Sequence, residues 1–169
     1  MNEKLIIKPN PNHFLNPARQ TAPKLTEFES INKEHIDNVR YIMQVIADEI
    51  IAAGRDHDYT KIRDQYKGDY YVDLCNSIEN GVDFSSTEWR RNHFQLERHH
   101  LNEHCPDDVN LVDIIESIVN TIVENCEING TYGTVSVNNS MLLNALNNTI
   151  AKIKNYIKIK TEEEDVEKK

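Results

Sequence analysis

Apolar residues recurring at every third or fourth position over long stretches constrain this chain more than any other feature. That period fits one face of an α-helix and no strand. From Ile36 one stripe runs through Val39, Ile42, Met43, Ile46 and Ile50. The most hydrophobic runs through Leu111, Ile115, Ile118 and Ile122, flanked by Val112, Val119 and Val123, and a third through Leu142, Leu146, Ile150, Ile153 and Ile157. Between them Tyr66, Tyr70, Tyr71 and Leu74 keep helical spacing up to the stop signal Asn80-Gly81, and Trp89, His93, Leu96 and His100 step by four, three and four. The fold class read from this is all-α: one helical domain of about six helices over residues 26–160. Before it lies an extended arm over 1–25, whose prolines prevent a long helix. After it, a nearly all-charged tail over 161–169 is expected to be disordered.

Local signals place the helix ends. Thr26-Glu27-Phe28-Glu29 offers a capping box that opens the first helix, and Gly54 ends it in a left-handed turn. A helix is expected over about 69–79, and Ser85-Ser86-Thr87-Glu88 opens the one that carries Trp89. Asp107 or Asp108 caps the most hydrophobic helix, and Asn139 or Ser140 the last. The stretch from Asn129 to Asn138 reads as a lid or a short hairpin. In the arm, Leu5 to Ile7 and Phe14-Leu15 either pack on the domain, pack on a second subunit of a homodimer, or stay disordered.

Composition narrows the partners. A chain of 169 residues supports one substantial core, and its formal charge of -9 repels phosphate backbones, which disfavours nucleic-acid binding. A small phosphorylated molecule stays compatible, because an ion and local Lys or Arg can reverse the field inside a pocket. The three cysteines, Cys75, Cys105 and Cys126, are odd in number and far apart, which predicts neither a disulfide framework nor a zinc ribbon. With no signal-peptide pattern and no membrane-length apolar run, the expectation is a cytoplasmic protein without membrane contact.

The chemistry concentrates in histidines. In Gly54-Arg55-Asp56-His57-Asp58-Tyr59-Thr60-Lys61 a histidine and an aspartate stand side by side just past a helix. Imidazole and carboxylate both ligate metals, and adjacent residues reach one ion only where the backbone leaves regular helix. The plain alternative is a polar turn in which Asp58 caps the next helix. Lys61 projects on the Asp58 side, as a phosphate contact or as a solvated lysine. His35 shares the first apolar stripe, where a histidine is either a satisfied core or cap residue or a ligand. His93 and His100 share an inward face about 10 Å apart along a helix axis, so two nearby ions, or one ion and one substrate contact, suit them better than one shared ion. His99 lies off that stripe unless the helix breaks before it, and His104, just ahead of Pro106, falls at the rim. Arg91 and Arg98 form a solvated basic stripe or a phosphate clamp. Asp113, Glu116 and Asn120 line the side of their helix away from its apolar seam, as solvated acids or as the closing carboxylates of a site.

Taken in order, His35, then His57-Asp58-Tyr-Thr-Lys61, then Arg98-His99-His100, then Val112-Asp113-Ile114-Ile115-Glu116 resemble the HD superfamily of metal-dependent phosphohydrolases. His-Asp-x-Thr-Lys, Trp-x-x-x-His, Arg-His-His and Asp-x-x-Glu look more narrowly like an HD-like family of phage and bacterial proteins. The resemblance covers about residues 30–125. It implies one or two divalent ions, of Mn, Fe, Zn, Ni, Co or Mg, held by His35, His57, Asp58, His93, His100 and Asp113, with Glu116 as the partner of Asp113. It implies hydrolysis of a nucleotide or related small phosphoester, with Asp58, Lys61 and His99 acting in catalysis and Lys61 and Arg98 on the phosphate. For a phage-encoded chain the compartment is the host cytoplasm. The narrower family often carries an aspartate followed by tryptophan where this chain has Asn120-Thr121. That departure supports the alternative of a non-catalytic interaction or inhibitor protein on a degenerate HD-like fold.

Overall fold

The computed structural model describes residues 4–11, 13, 15–18 and 21–160. Among them, six helices and one pair of short strands make up the regular structure, apart from one 3-10 turn: β1 (Leu5–Ile7), α1 (Leu25–Asp56), α2 (Tyr59–Ile62), α3 (Asp64–Asn80), α4 (Glu88–Leu96), α5 (Leu111–Asn129), α6 (Asn139–Asn155) and β2 (Ile157–Ile159). The all-α class expected from periodicity holds, while several ends differ. Helix α1 already includes Leu25, the Phe28 amide donating to the Lys24 carbonyl at 2.9 Å, so Thr26 sits inside the first turn and is not its cap. Gly54 stays helical, and the turn falls at Asp58, the one non-glycine residue with positive φ among those described (φ 53°, ψ 29°). Aspartate tolerates this left-handed conformation better than most residues, and here it redirects the chain from α1 into the single turn of α2.

Capping explains the other differences. Thr87 caps α4, its hydroxyl accepting from the Arg90 amide at 3.3 Å, while Ser85 and Ser86 fold back on Asp83 in a 3-10 turn. Helix α5 starts at a capping box of Asn110 and Asp113 rather than at Asp107 or Asp108. Asn138 caps α6 by accepting from the Ser140 amide at 2.8 Å, one residue ahead of the expected position. The stretch from Thr131 to Asn138 is irregular and forms no hairpin.

The chain's contacts group into two units, one from its ends (up to Asp48 and from Ile150) and one from Glu49–Thr149, where the sequence reads as arm, single domain and tail. In the first, β1 and β2 pair in parallel, Leu5 opposite Ile157 and Ile7 opposite Ile159. The arm therefore contributes a strand, and α6 stops short of Ile157, because isoleucine-rich segments suit extended chain and each strand satisfies backbone groups of the other. Leu5, Ile7, Val39, Met43 and Ile153 border an apolar hollow of about 500 Å³ in this unit. Phe14 and the charged tail lie outside the described residues.

The second unit carries the core of Leu101, Val109, Ile114 and Ala145, with Leu111, Ile118, Val137 and Met141 packed against it. Helix α5 contributes Ile114 to this core, with Leu111 and Ile118 packed against it, but it is turned from the expected face. Ile115, Val119 and Val123 are exposed, whereas Asp113 on the polar stripe is buried and Glu116 and Asn120 are half-buried. The stripe that reads as solvated instead faces histidines and an arginine. Among the described residues no helix is long and apolar enough to cross a membrane, and the three cysteines are free.

Candidate metal centre

The left-handed backbone at Asp58 determines how the centre is built. Although Asp58 precedes α2, its side chain makes no cap hydrogen bond. Its Oδ2 instead accepts from Lys61 Nζ at 2.5 Å, and its Oδ1 lies buried, 3.6 Å from both His93 Nε2 and His99 Nε2. The capping alternative for Asp58 is thus not what the side chain does.

His93 and His100 come together because α4 stops. Glu97 leaves the helix (φ -94°, ψ 110°), and the chain turns so that His100 Nε2 stands 2.7 Å from His93 Nε2, far closer than an unbroken helix permits. Glu97 is anchored by Thr60, whose amide and hydroxyl donate to Glu97 Oε1 at 2.9 and 2.8 Å. Having given its proton to Glu97, the Thr60 hydroxyl accepts from His93 Nδ1 at 2.6 Å. That fixes the His93 proton on Nδ1 and leaves the Nε2 lone pair facing His100 and Asp58, the carboxylate-supported orientation common to metal-binding histidines. Trp89, four residues earlier on α4, stacks on the His93 ring at 4.7 Å between centroids.

A second set faces α5. His57 Nδ1 lies 2.9 Å from Glu116 Oε1 and His57 Nε2 lies 3.2 Å from Asn120 Oδ1. His99 Nδ1 is 3.3 Å from the same Glu116 oxygen, and the His57 and His99 rings are 4.3 Å apart. His99 is 2% exposed, yet neither of its ring nitrogens has a hydrogen-bond partner. Together with Asp58 Oδ1, these are the buried side-chain atoms left without a partner among the described residues. Burying such atoms unpaired costs free energy, and in native proteins most find a partner or an ion.

Electrostatics separates the two sets. Burial holds the His93 ring down at about 4 and the His100 ring at about 3, helped at His100 by the neighbouring His99 and His93, so both are neutral near pH 7. His57 moves the other way, raised by its hydrogen bond to Glu116 against the effect of burial. Burial alone would raise Glu116, but the His57 and His99 rings outweigh it and hold the carboxyl at about 2. Burial likewise opposes ionisation of Asp58, and Lys61 overcomes it and lowers that carboxyl.

The residues named from sequence divide clearly. His57, Asp58, His93, His99, His100 and Glu116 converge, and Lys61 borders them through Asp58. His35 does not join: it is exposed in the first unit and takes part in no metal-capable group among the described residues. Its helical face was legible, but a shared helical face fixes only a side chain's direction and not which ligands belong to its unit. Asp113 is buried but engaged elsewhere. Arg98 grips both its oxygens at 2.8 Å, and Asn110 donates to Oδ2 from its amide and its side chain. Arg98 is in turn held by Asp113 and by the side chain and carbonyl of Asp108. The expected order of the two carboxylates is therefore reversed: Glu116 reaches the histidines and Asp113 does not. Thr60 and Glu97 belong to the centre without having been singled out. Thr60 sits inside the His-Asp-x-Thr-Lys element, whereas nothing distinguished Glu97 from the other acids of the chain.

Three overlapping groups of ligand atoms could hold an ion: Asp58, His93 and His100; His57, His99 and Glu116; and Asp58, Glu97 and His99. Compared with known protein families, curated proteins and solved structures, the chain matches none.

Proposed function

We propose that this chain is a metal-dependent hydrolase of small phosphoesters, with ions at two adjacent ligand sets, Asp58-His93-His100 and His57-His99-Glu116. The observation that carries the metal reading is the cluster of buried atoms without partners, Asp58 Oδ1 and both ring nitrogens of His99, pointed at one another and at the other ligands. Mixed imidazole and carboxylate donors suit Zn, Mn, Fe, Co or Ni better than an all-oxygen Mg site. A divalent ion there supplies Lewis acidity, acidifying a bound water and polarising a phosphoryl oxygen.

The chain's own residues do the rest. Thr60 and Glu97 orient His93, Asn120 accepts the His57 Nε2 proton so that Nδ1 is presented, and Asp58 is placed to orient a water. Lys61, one-third exposed beside Asp58, is the cation within reach of an incoming phosphate. The resemblance to HD phosphohydrolases puts nucleotides among the phosphoesters to be tried. Metal analysis of the purified protein, followed by phosphate release from a panel of nucleotides and simple phosphoesters with added Mn²⁺, tests the reading. Bound metal with turnover is expected. Metal without turnover on any ester would leave a metal-stabilised binding protein, and folded protein that takes up no metal would overturn the centre itself.

A further inference from the structure

The centre has two different neighbours. On the His93 side, a hollow of about 330 Å³ is lined in part by Asp69, Asp73 and Glu88, whose charges repel an anionic ligand. On the other side, a hollow of about 250 Å³ in the second unit is lined by Ile50 of α1 and by Ile115, Val119 and Val123 of α5, and its lining also includes His57, Glu116 and Asn120. Here the apolar face of α5 is left exposed, Val119 at 53% and Val123 at 47%, immediately beside two of the candidate ligands. Ligand sites typically join an apolar lining to a few convergent polar groups, and drug-sized ones occupy about 300–1,000 Å³. This one is smaller, so its occupant is small.

Resting on the metal-centre reading, we propose that the substrate is a phosphoester whose organic part is a small apolar group, a short alkyl chain or a single aromatic ring. That group sits against Ile50, Ile115, Val119 and Val123, with the phosphate toward His57 and Glu116. The continuity of the hollow with the ligands decides for such a molecule over a second copy of the chain. A phosphoester fills the apolar lining and presents oxygens at the centre, whereas an apolar protein surface would cover the lining and leave His57 and Glu116 facing it. A ribose would set its hydroxyls against aliphatic side chains that offer them no partner. Asn120, whose carbonyl oxygen lies 3.2 Å from His57 Nε2, is a polar member of this lining beside Val119.

The test uses the Mn²⁺-loaded full chain and three non-hydrolysable probes, methyl-, butyl- and phenylphosphonate, with affinities from calorimetry and metal content measured first. Three further buried methylenes suffice for a preference of about tenfold or more, so butyl- and phenylphosphonate are expected to bind at least about tenfold tighter than methylphosphonate. In Val119→Gln, and independently in Val123→Gln, the ratio is expected to fall toward one. Equal affinities for the three probes in the metal-loaded parent would overturn this inference and leave the centre standing. So would a preference that survives both substitutions, or a parent that sediments as a dimer and shows no preference. A parent without bound metal would overturn the centre, and this inference with it, before any phosphonate is added.

Discussion

The two ligand sets are built from the same residue types and differ in where their protons sit. His93 is buried and His100 half-buried, both are neutral, and His93 is held in one tautomer by Thr60 and Glu97. His57 is 27% exposed, faces acceptors on both ring nitrogens and is raised toward the charged form. An ion would thus meet neutral rings at the first set and would have to displace a proton from His57 at the second. The comparison teaches that preorganisation here depends less on the histidines than on what stands behind them, a hydroxyl backed by a carboxylate at His93 and an amide carbonyl at His57.

The change expected to disturb this comparison most is Asp58→Asn, since Asp58 belongs to the first set and its Oδ2 also lies 3.5 Å from His57 Nε2. Asparagine tolerates the left-handed backbone, so the substitution isolates the charge. Metal affinity is expected to fall about a hundredfold with the far-UV circular dichroism unchanged. Stoichiometric metal retained through dialysis would remove the basis for treating the sets as joined.

A smaller and more selective effect is expected from Glu116→Gln, which touches only the second set: about a tenfold loss of affinity there, resolved as one of two steps in a Co²⁺ titration. Asp113→Asn is its contrast. That carboxylate pairs with Arg98 and completes the α5 capping box, so its neutralisation is expected to leave metal binding intact. Unfolding stability should drop by about 2–4 kcal/mol in a urea titration, below the full cost of breaking a buried pair because Arg98 is 40% exposed. If Asp113→Asn lost the metal and Glu116→Gln did not, the assignment of the two carboxylates would revert to the order expected from sequence.

How far the sequence was legible follows from these same residues. Periodicity carried the helices, and the His57-Asp58 pair pointed to the candidate centre, because both signals are local. What could not be read was where helices break. His99 and His100 join the centre because α4 stops at Leu96, and that stop depends on Glu97 finding Thr60, which is 37 residues away. Similarly, Asp113 and Glu116 are three residues apart on one face, and only the position of Arg98 decides that one is an ion-pair partner and the other a candidate ligand. Apolar pattern also misled: Ile115, Val119 and Val123 read as core and are exposed, because the polar stripe of α5 finds partners inside.

The smallest expected effect, and the sharpest test of the proton difference, comes from pH and Asn120. Because the His57 pKa is raised above 6.5, its contribution to the stability of metal-free protein is fully present below that value and is lost as pH rises through the raised pKa. Ion binding runs the other way, since the ion needs the lone pair that the proton occupies. Affinity at the second set should therefore fall about tenfold per pH unit below the His57 pKa. At the first set it should stay nearly flat between pH 6 and 8, as His93 and His100 titrate far lower. Asn120→Asp places a negative charge opposite His57 Nε2 and raises that pKa further. At pH 6 the proton then competes better and the variant should bind metal more weakly than the parent. Above the variant's own raised pKa the ring is free and more basic, and the variant should bind a few-fold more tightly. The ratio of the two affinities is thus expected to cross one as pH rises from 6 through the raised His57 pKa. A variant that binds about tenfold tighter at both would mean that the introduced carboxylate has entered the coordination shell, in which case residue 120 is a ligand position and not the support behind His57.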